Sequence, residues 1–269
     1  MNTATLLIER QGAVETWTLN DPATRNALSD AIVDGLLSAC ARAAQDPALR
    51  TVVLTGAGGA FCAGGSLGGF ASLIGQPLQD GQTDPLLAMN RSFGDLLHAL
   101  YALPQLLVCR VDGAAMGGGF GLVCCADHVV ATKRSVLGTP EVTLGLPPAQ
   151  IAPFVWQRLG ESATRQCLLQ GLSYTAAQAL EVGLVNEVIE QDADEVWQPI
   201  LQRLLRAAPG AVASTKQLLR SLRGPVPDLR DAAAKAFAHS LRSTEAAQGL
   251  AAFTRKQAAP WVQATGNLP

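Results

Sequence analysis

The sequence predicts an α/β protein built from successive strand–turn–helix units, and three observations predict it. Short β-branched or apolar runs alternate with helix-period segments over roughly the first 190 residues. Two of those runs feed directly into glycine-rich turns, one starting at Gly56 and the other at Gly113. The last eighty residues carry little strand signal and three stretches of helical periodicity.

The elements follow in order. Residues 5–9 and 14–19 are rich in Leu, Ile, Val, Trp and Thr, and Gln11-Gly12 between them reads as a hairpin turn. Asp21-Pro22 breaks the chain. Leu28, Ile32, Leu36 and Ala39 then recur at helical spacing, with Asn26 or Ser29 placed to cap, and Asp46-Pro47 closes that helix. Residues 51–55 form a strand into the first glycine turn. Residues 69–85 are rich in Gly, Gln, Asp and Pro without periodicity, which predicts a mobile loop or lid. A helix over 89–103 stops before Pro104. A strand over 106–111 enters the second turn, followed by a helix over 118–126 and a strand over 129–132. Helices are predicted over 195–208, 211–222 and 229–256, the last with a break, and Gly224-Pro225 interrupts the series.

Bulk composition narrows the classes of function. At 269 residues, 48% hydrophobic and 16% charged, the chain can bury a large core. A net charge of −2 without a basic stripe argues against nucleic acid as a partner. The N-terminus lacks a basic segment followed by an apolar one, and no apolar run reaches spanning length, so a cytoplasmic protein with no membrane partner is expected. Six cysteines without CxxC spacing read as free thiols in a reducing compartment, and the three histidines have no metal-ligand spacing.

The chemistry concentrates at the two turns. Glycine turns let a ligand oxygen reach backbone N–H groups directly, and two such turns can supply two donors to one oxygen, as in an oxyanion hole. Gly118 stands where a helix begins, so free N–H groups and the positive helix end converge there. Close strand–helix packing is the competing explanation for Gly117-Gly118-Gly119. Glu141 follows Thr139-Pro140, which predicts a rigid extended turn directing the carboxylate away from the protein body. A partly apolar pocket would raise its pKa and suit it to proton exchange near neutrality.

Six segments then resemble the crotonase family of enoyl-CoA hydratases and isomerases, in family order. They are 25–29 (Arg-Asn-Ala-Leu-Ser), 58–67, 111–122, 138–146 (Gly-Thr-Pro-Glu-Val-Thr-Leu-Gly-Leu), 171–188 and 253–261. The resemblance implies a core of β-β-α superhelical turns (1–195) carrying the oxyanion hole and the catalytic Glu. It also implies a helical C-terminal region (196–269) for trimerisation, and trimers that pair into hexamers. It places the oxyanion donors at the N–H groups of Gly65 and Gly118, with Glu141 as acid/base. It also places an acyl-CoA along Arg25, Ala27, Ala63, Gly64, Leu67 and Gly121, with Phe253 and Lys256 contributing from the C-terminus. Coenzyme A enters as part of the substrate and no separate cofactor is implied. Residues 141–154 are further similar to bacterial hydratases of branched glutaconyl thioesters, namely methylglutaconyl-CoA and isohexenylglutaconyl-CoA.

Two positions depart from the family pattern. Gly121 stands where the best-known hydratases carry a second glutamate, and Ser66 replaces a usual Asp. The sequence therefore leaves three activities open: hydration with one carboxylate, double-bond isomerisation by a single Glu, or acyl-CoA binding without turnover. Asp80, Asp84 and Glu161 are candidates for a second carboxylate.

Overall fold

The computed structural model describes residues 4–66, 71–78, 81–222 and 228–262. Leu67 and Asp80, part of the 69–85 segment and Gly224-Pro225 lie outside the described residues.

The chain opens with the predicted hairpin. Strand β1 (Leu6–Gln11) pairs antiparallel with β2 (Val14–Leu19), joined at Gly12. Helix α1 (Asp30–Ala44) starts where Ser29 accepts the Ile32 N–H, and buries Ile32, Val33, Leu36, Ala39, Cys40 and Ala43 on one face. It returns the chain to β3 (Thr51–Gly56), which lies parallel to β2. Helix α2 (Pro85–Ala102) begins four residues earlier than the periodicity suggests, because Asp84 caps it by accepting the Leu86 N–H and Pro85 takes the first helical position.

The next two units show the β-β-α turn. Strand β4 (Leu106–Val111) runs into β5 (Ala114–Met116) and then helix α3 (Gly118–Cys125). Strand β6 (His128–Thr132) runs into β7 (Val136–Gly138), a 3₁₀ turn over Pro140–Leu144, and helix α4 (Ala152–Gln170). The first strand of each pair joins the larger sheet and the second joins the smaller one. Closing the series are β8 (Ser173–Thr175), α5 (Ala176–Glu181) and β9 (Glu187–Ile189). Among the described residues the larger sheet runs β1-β2-β3-β4-β6-β9 and the smaller β5-β7-β8.

The principal core lies between the larger sheet and helices α1–α4, around Trp17, Phe61, Phe120 and Phe154. All six cysteines are free and buried, and burial pushes the Cys62 and Cys109 thiols up to about 12. On the opposite face, α6 (Asp194–Leu204) seats Trp197 and Ile200 against Val53, Val108 and Val130.

Helix α7 (Pro209–Leu222) follows. The expected break in the 229–256 stretch falls between α8 (Arg230–Leu241) and α9 (Thr244–Thr254), with Ser243 capping the second. Residues 71–78 do not form a free excursion. Leu73 and Ile74 pack with Leu86, Leu146, Leu241 and Leu250, and the Gly75 N–H donates to the Leu241 carbonyl at 3.0 Å. The lid expectation fails for this stretch because apolar side chains anchor it. Among the described residues, no helix is long and apolar enough to cross a membrane.

Candidate active site

Three backbone segments lie side by side to build the site. The Cys62 N–H donates to the Ala114 carbonyl and the Met116 N–H to the Cys62 carbonyl, both at 2.9 Å, which stitches the first glycine turn to the second. The Ala63 N–H donates to the Arg25 carbonyl (2.9 Å) and the Leu28 N–H to the Gly64 carbonyl (2.8 Å), which ties the first turn to residues 25–28. A methyl group added at Gly64 would sit 3.4 Å from the Gly118 nitrogen, so the two turns meet. Among the described residues, no protein carbonyl accepts the Gly65 or Gly118 N–H.

Asn26, expected as a helix cap and as part of the 25–29 segment, holds this arrangement. Its side chain is fully buried. Its Oδ1 accepts the Asp21 N–H (2.8 Å), and its Nδ2 donates to the carbonyls of Ala57 (2.9 Å) and Ala60 (2.8 Å). Arg25 and Asn26 both take left-handed φ, at 57° and 59°, a conformation Asn tolerates better than most residues. Asn26→Asp puts a carboxylate oxygen against two carbonyls. It should lower unfolding stability by about 2–4 kcal/mol, read from the urea midpoint. An unchanged midpoint would remove Asn26 from this role.

Glu141 does not point away from the protein. Pro140 opens a 3₁₀ turn rather than an extended one, and that turn swings the carboxyl inward against Gly117. Gly117 has φ 52°, and a Cβ there would stand 2.8 Å from Glu141 Oε1, so only glycine satisfies both backbone and carboxyl. Oε2 is sealed from solvent without a hydrogen-bond partner. Burial therefore pushes the carboxyl up to about 7 from its ordinary 4.5, and the hydrogen bond from its own backbone N–H offsets this only in part.

This raised value fixes a pH dependence of stability. Between 4.5 and 7 the folded protein keeps a proton that the unfolded chain has released, so stability falls as pH rises through that window and levels off above it. The full span is worth about 3 kcal/mol. Urea midpoints at pH 5 and pH 8, compared with those of Glu141→Gln, isolate the effect. The same midpoint change in both proteins would refute it.

Glu141 lines a cavity of about 530 Å³. Ala63, Gly64, Gly65, Ser66, Gly117 and Gly118 form one wall. Leu28, Val33 and the exposed Asp30 and Asp34 of the α1 region, Met89, Asn90 and Phe93 of α2, and Leu144 with residues 146–151 form the others, with Phe237 and Phe253 arriving from the C-terminal helices. The predicted residues Glu141, Ala63, Gly64, Gly65, Gly118 and Phe253 thus share one space. Arg25, Ala27 and Lys256 do not line it: Arg25 and Lys256 are exposed, and Arg25 and Ala27 meet the site through their backbone segment.

Gly121 does not line the cavity either. It is buried one turn into α3, where a Cβ would lie 2.3 Å from Ile151 Cγ2 and 3.1 Å from Ile151 Cβ. Ile151 fills the volume a side chain at 121 would need. Gly119 supports the packing explanation for its own position, since a Cβ there would meet Cys62 at 2.7 Å. Asp84 is no second carboxylate. It caps α2 and pairs with Arg242 (2.7 and 2.8 Å), whose guanidinium holds its carboxyl below the usual range. Glu161 is exposed on α4 and does not line the cavity.

Successive β-β-α turns, with two glycine turns meeting in one cavity beside a buried carboxyl, define the crotonase class of fold. The family model described as enoyl-CoA hydratase/isomerase matches residues 9–264, and the chain belongs to that enzyme family. An enoyl-CoA hydratase/isomerase from Marinobacter aquaeolei is 38% identical, with TM-score 0.75 over 96% of this chain and 99% of its own. Pseudomonas aeruginosa AtuE is 40% identical, with TM-score 0.74 over 96% and 100%. The 2,3-dehydroadipyl-CoA hydratase of Escherichia coli is 33% identical over 217 residues, 80% of this chain and 81% of that protein.

Proposed function

We propose that this enzyme hydrates an α,β-unsaturated acyl-CoA through a thioester enolate, with Glu141 as the single acid/base group. The observation that carries the reading is the buried Glu141 carboxyl, its Oε2 without a hydrogen-bond partner and its pKa held near 7, lining one cavity with Gly65 and Gly118. The thioester oxygen accepts from those two amides, which stabilise the charge that develops on it; one comparable donor is worth roughly 3–4 kcal/mol. Ionised Glu141 takes a proton from water as the water oxygen bonds to Cβ. The double-bond electron pair moves into the enolate. Glu141 then returns the proton to Cα, so substrate and water combine without remainder. The rate should rise with the ionised fraction of Glu141, with its midpoint near pH 7 in kcat/KM.

The resemblance over residues 141–154 supports a branched glutaconyl thioester as substrate, and the mostly apolar walls leave room for a branch. Exposed Leu218, Leu219 and Leu222 on α7, with Trp156 and Leu169 on α4, support self-association into trimers and hexamers. Lys256 would then serve a neighbouring subunit's nucleotide phosphate.

Gly121 favours a second reading, double-bond isomerisation, because Ile151 leaves no place for another carboxyl. Turnover in H₂¹⁸O separates the two. Hydration gives a product heavier by one water with label on Cβ, whereas isomerisation gives a product of unchanged formula. Retained acyl-CoA binding with no water adduct across enoyl-CoA substrates, glutaconyl thioesters included, would overturn the hydratase reading.

A further inference from the structure

We infer that Asn90 is a specificity-determining residue that donates a hydrogen bond to an acceptor oxygen carried by the acyl chain. This rests on the acyl-CoA reading above and deepens it. The argument begins at a backbone carbonyl on α8. The Arg230 carbonyl oxygen can only accept, and the group 3.0 Å from it on Gln150 is therefore the amide nitrogen, Nε2. The same Nε2 lies 2.8 Å from the Asn90 side chain, so the Asn90 atom facing it is the carbonyl oxygen, Oδ1. Orientation thus passes from a fixed main-chain group through one amide to the next. The Asn90 Nδ2 is turned the other way, and among the described residues it donates to no protein group.

The surroundings show that this relay is built in. Gln150 is buried. Its amide occupies the space beside Gly94, where an added Cβ would stand 2.3 Å from Gln150 Oε1. Both Asn90 and Gln150 line the cavity shared with Glu141. Asn90 lies about one helical turn from Phe93 on α2, and the Phe93 ring would meet a Cβ at Gly118 at 3.2 Å. A thioester carbonyl at Gly118 therefore leaves its acyl chain about one turn of α2 to cover before reaching Asn90. Arg91, the next residue in the chain, and Arg230, whose carbonyl Gln150 meets, are already engaged, Arg91 with Asp231 and Arg230 with Asp95 and Asp228. In this part of the wall the donor offered is a neutral amide with a set direction, which suits a carboxylate or ester oxygen on a branch and not a plain alkyl end.

The test is calorimetric binding of three saturated thioesters of matched shape, so that turnover is not required. They are 3-methylglutaryl-CoA, its terminal methyl ester, and 3,5-dimethylhexanoyl-CoA, which carries an isopropyl group in place of the carboxylate. Wild-type protein should bind the acid about ten- to hundredfold more tightly than the alkyl analogue, with the ester between them. Asn90→Leu should bring the acid-to-alkyl ratio close to one. Asn90→Asp, nearly unchanged in shape, should invert the ratio for the acid by placing like charges together. Preference for the ester alone would support an acceptor oxygen and identify it as a carbonyl. Equal binding of all three by the wild type, or a preference that survives both substitutions, would overturn the assignment of Asn90. Failure of every thioester to bind, with the protein folded, would instead overturn the acyl-CoA reading and this inference with it.

Discussion

Glu141→Gln is expected to lower kcat by about 10²–10⁴-fold while acyl-CoA affinity changes little. Glutamine keeps the volume that fits against Gly117 and between Pro140 and Leu144, so the walls of the cavity stay in place. What it lacks is a proton that can leave and return. On the proposed mechanism the amides of Gly65 and Gly118 are unchanged, and the variant should still hold the thioester carbonyl. Stopped turnover and calorimetric binding of a saturated acyl-CoA therefore report separate parts of the site. The variant should also be more stable than the wild type above pH 7, because it no longer confines a charge in a place that pushes the carboxyl up to about 7. A parallel loss of binding and turnover would show that Glu141 serves the architecture and not the chemistry.

The sequence carried the local half of this structure. The Gln11-Gly12 hairpin, the Ser29 cap and the two strand-to-glycine turns are encoded within a few residues each, and they stand where propensity and capping rules put them. The inward turn of Glu141 was not legible. A Thr-Pro-Glu sequence is compatible with both an extended exit and a 3₁₀ turn starting at proline, and contacts to Gly117 decide between them. The role of Asn26 depends on carbonyls more than thirty residues away. Asp84 looked available for chemistry because its partner, Arg242, lies 158 residues further along. The anchored part of the 69–85 segment escaped for the same reason, since Leu73 and Ile74 find their apolar partners in the C-terminal helices.

The two departures from the family pattern carry unequal weight in three dimensions. Ser66 lines the cavity next to Gly65 without altering the backbone connections that bring the turns together. Gly121 is coupled to a second residue, and that coupling turns a missing side chain into a committed geometry. A vacant position could be refilled by mutation. Ile151 occupies this one, and Ile151 belongs to the same short segment as Gln150, which orients Asn90. The residue that fills the space beside Gly121 and the residue that hydrogen-bonds Asn90 are therefore neighbours in the chain.

Gly121→Glu should consequently destabilise the protein and not improve hydration. A Cβ at 121 meets Ile151 at its branched Cβ as well as at Cγ2, so rotation of one methyl cannot clear the overlap. Leu97 approaches from the other side at 3.6 Å, and the new carboxyl would enter an apolar interior. Overpacking and burial of a charge together should cost about 3 kcal/mol or more. At this chain length that corresponds to a drop in Tm of about 6–12 °C. Adding Ile151→Ala supplies the missing volume, although alone it should destabilise as a cavity does. The double variant should be more stable than the sum of the two single changes predicts, a coupling expected only of residues that compete for one space. Thermal melts of the four proteins give that coupling directly. Strict additivity, or a Gly121→Glu protein as stable as the wild type, would show that Ile151 does not hold the position against a second carboxylate.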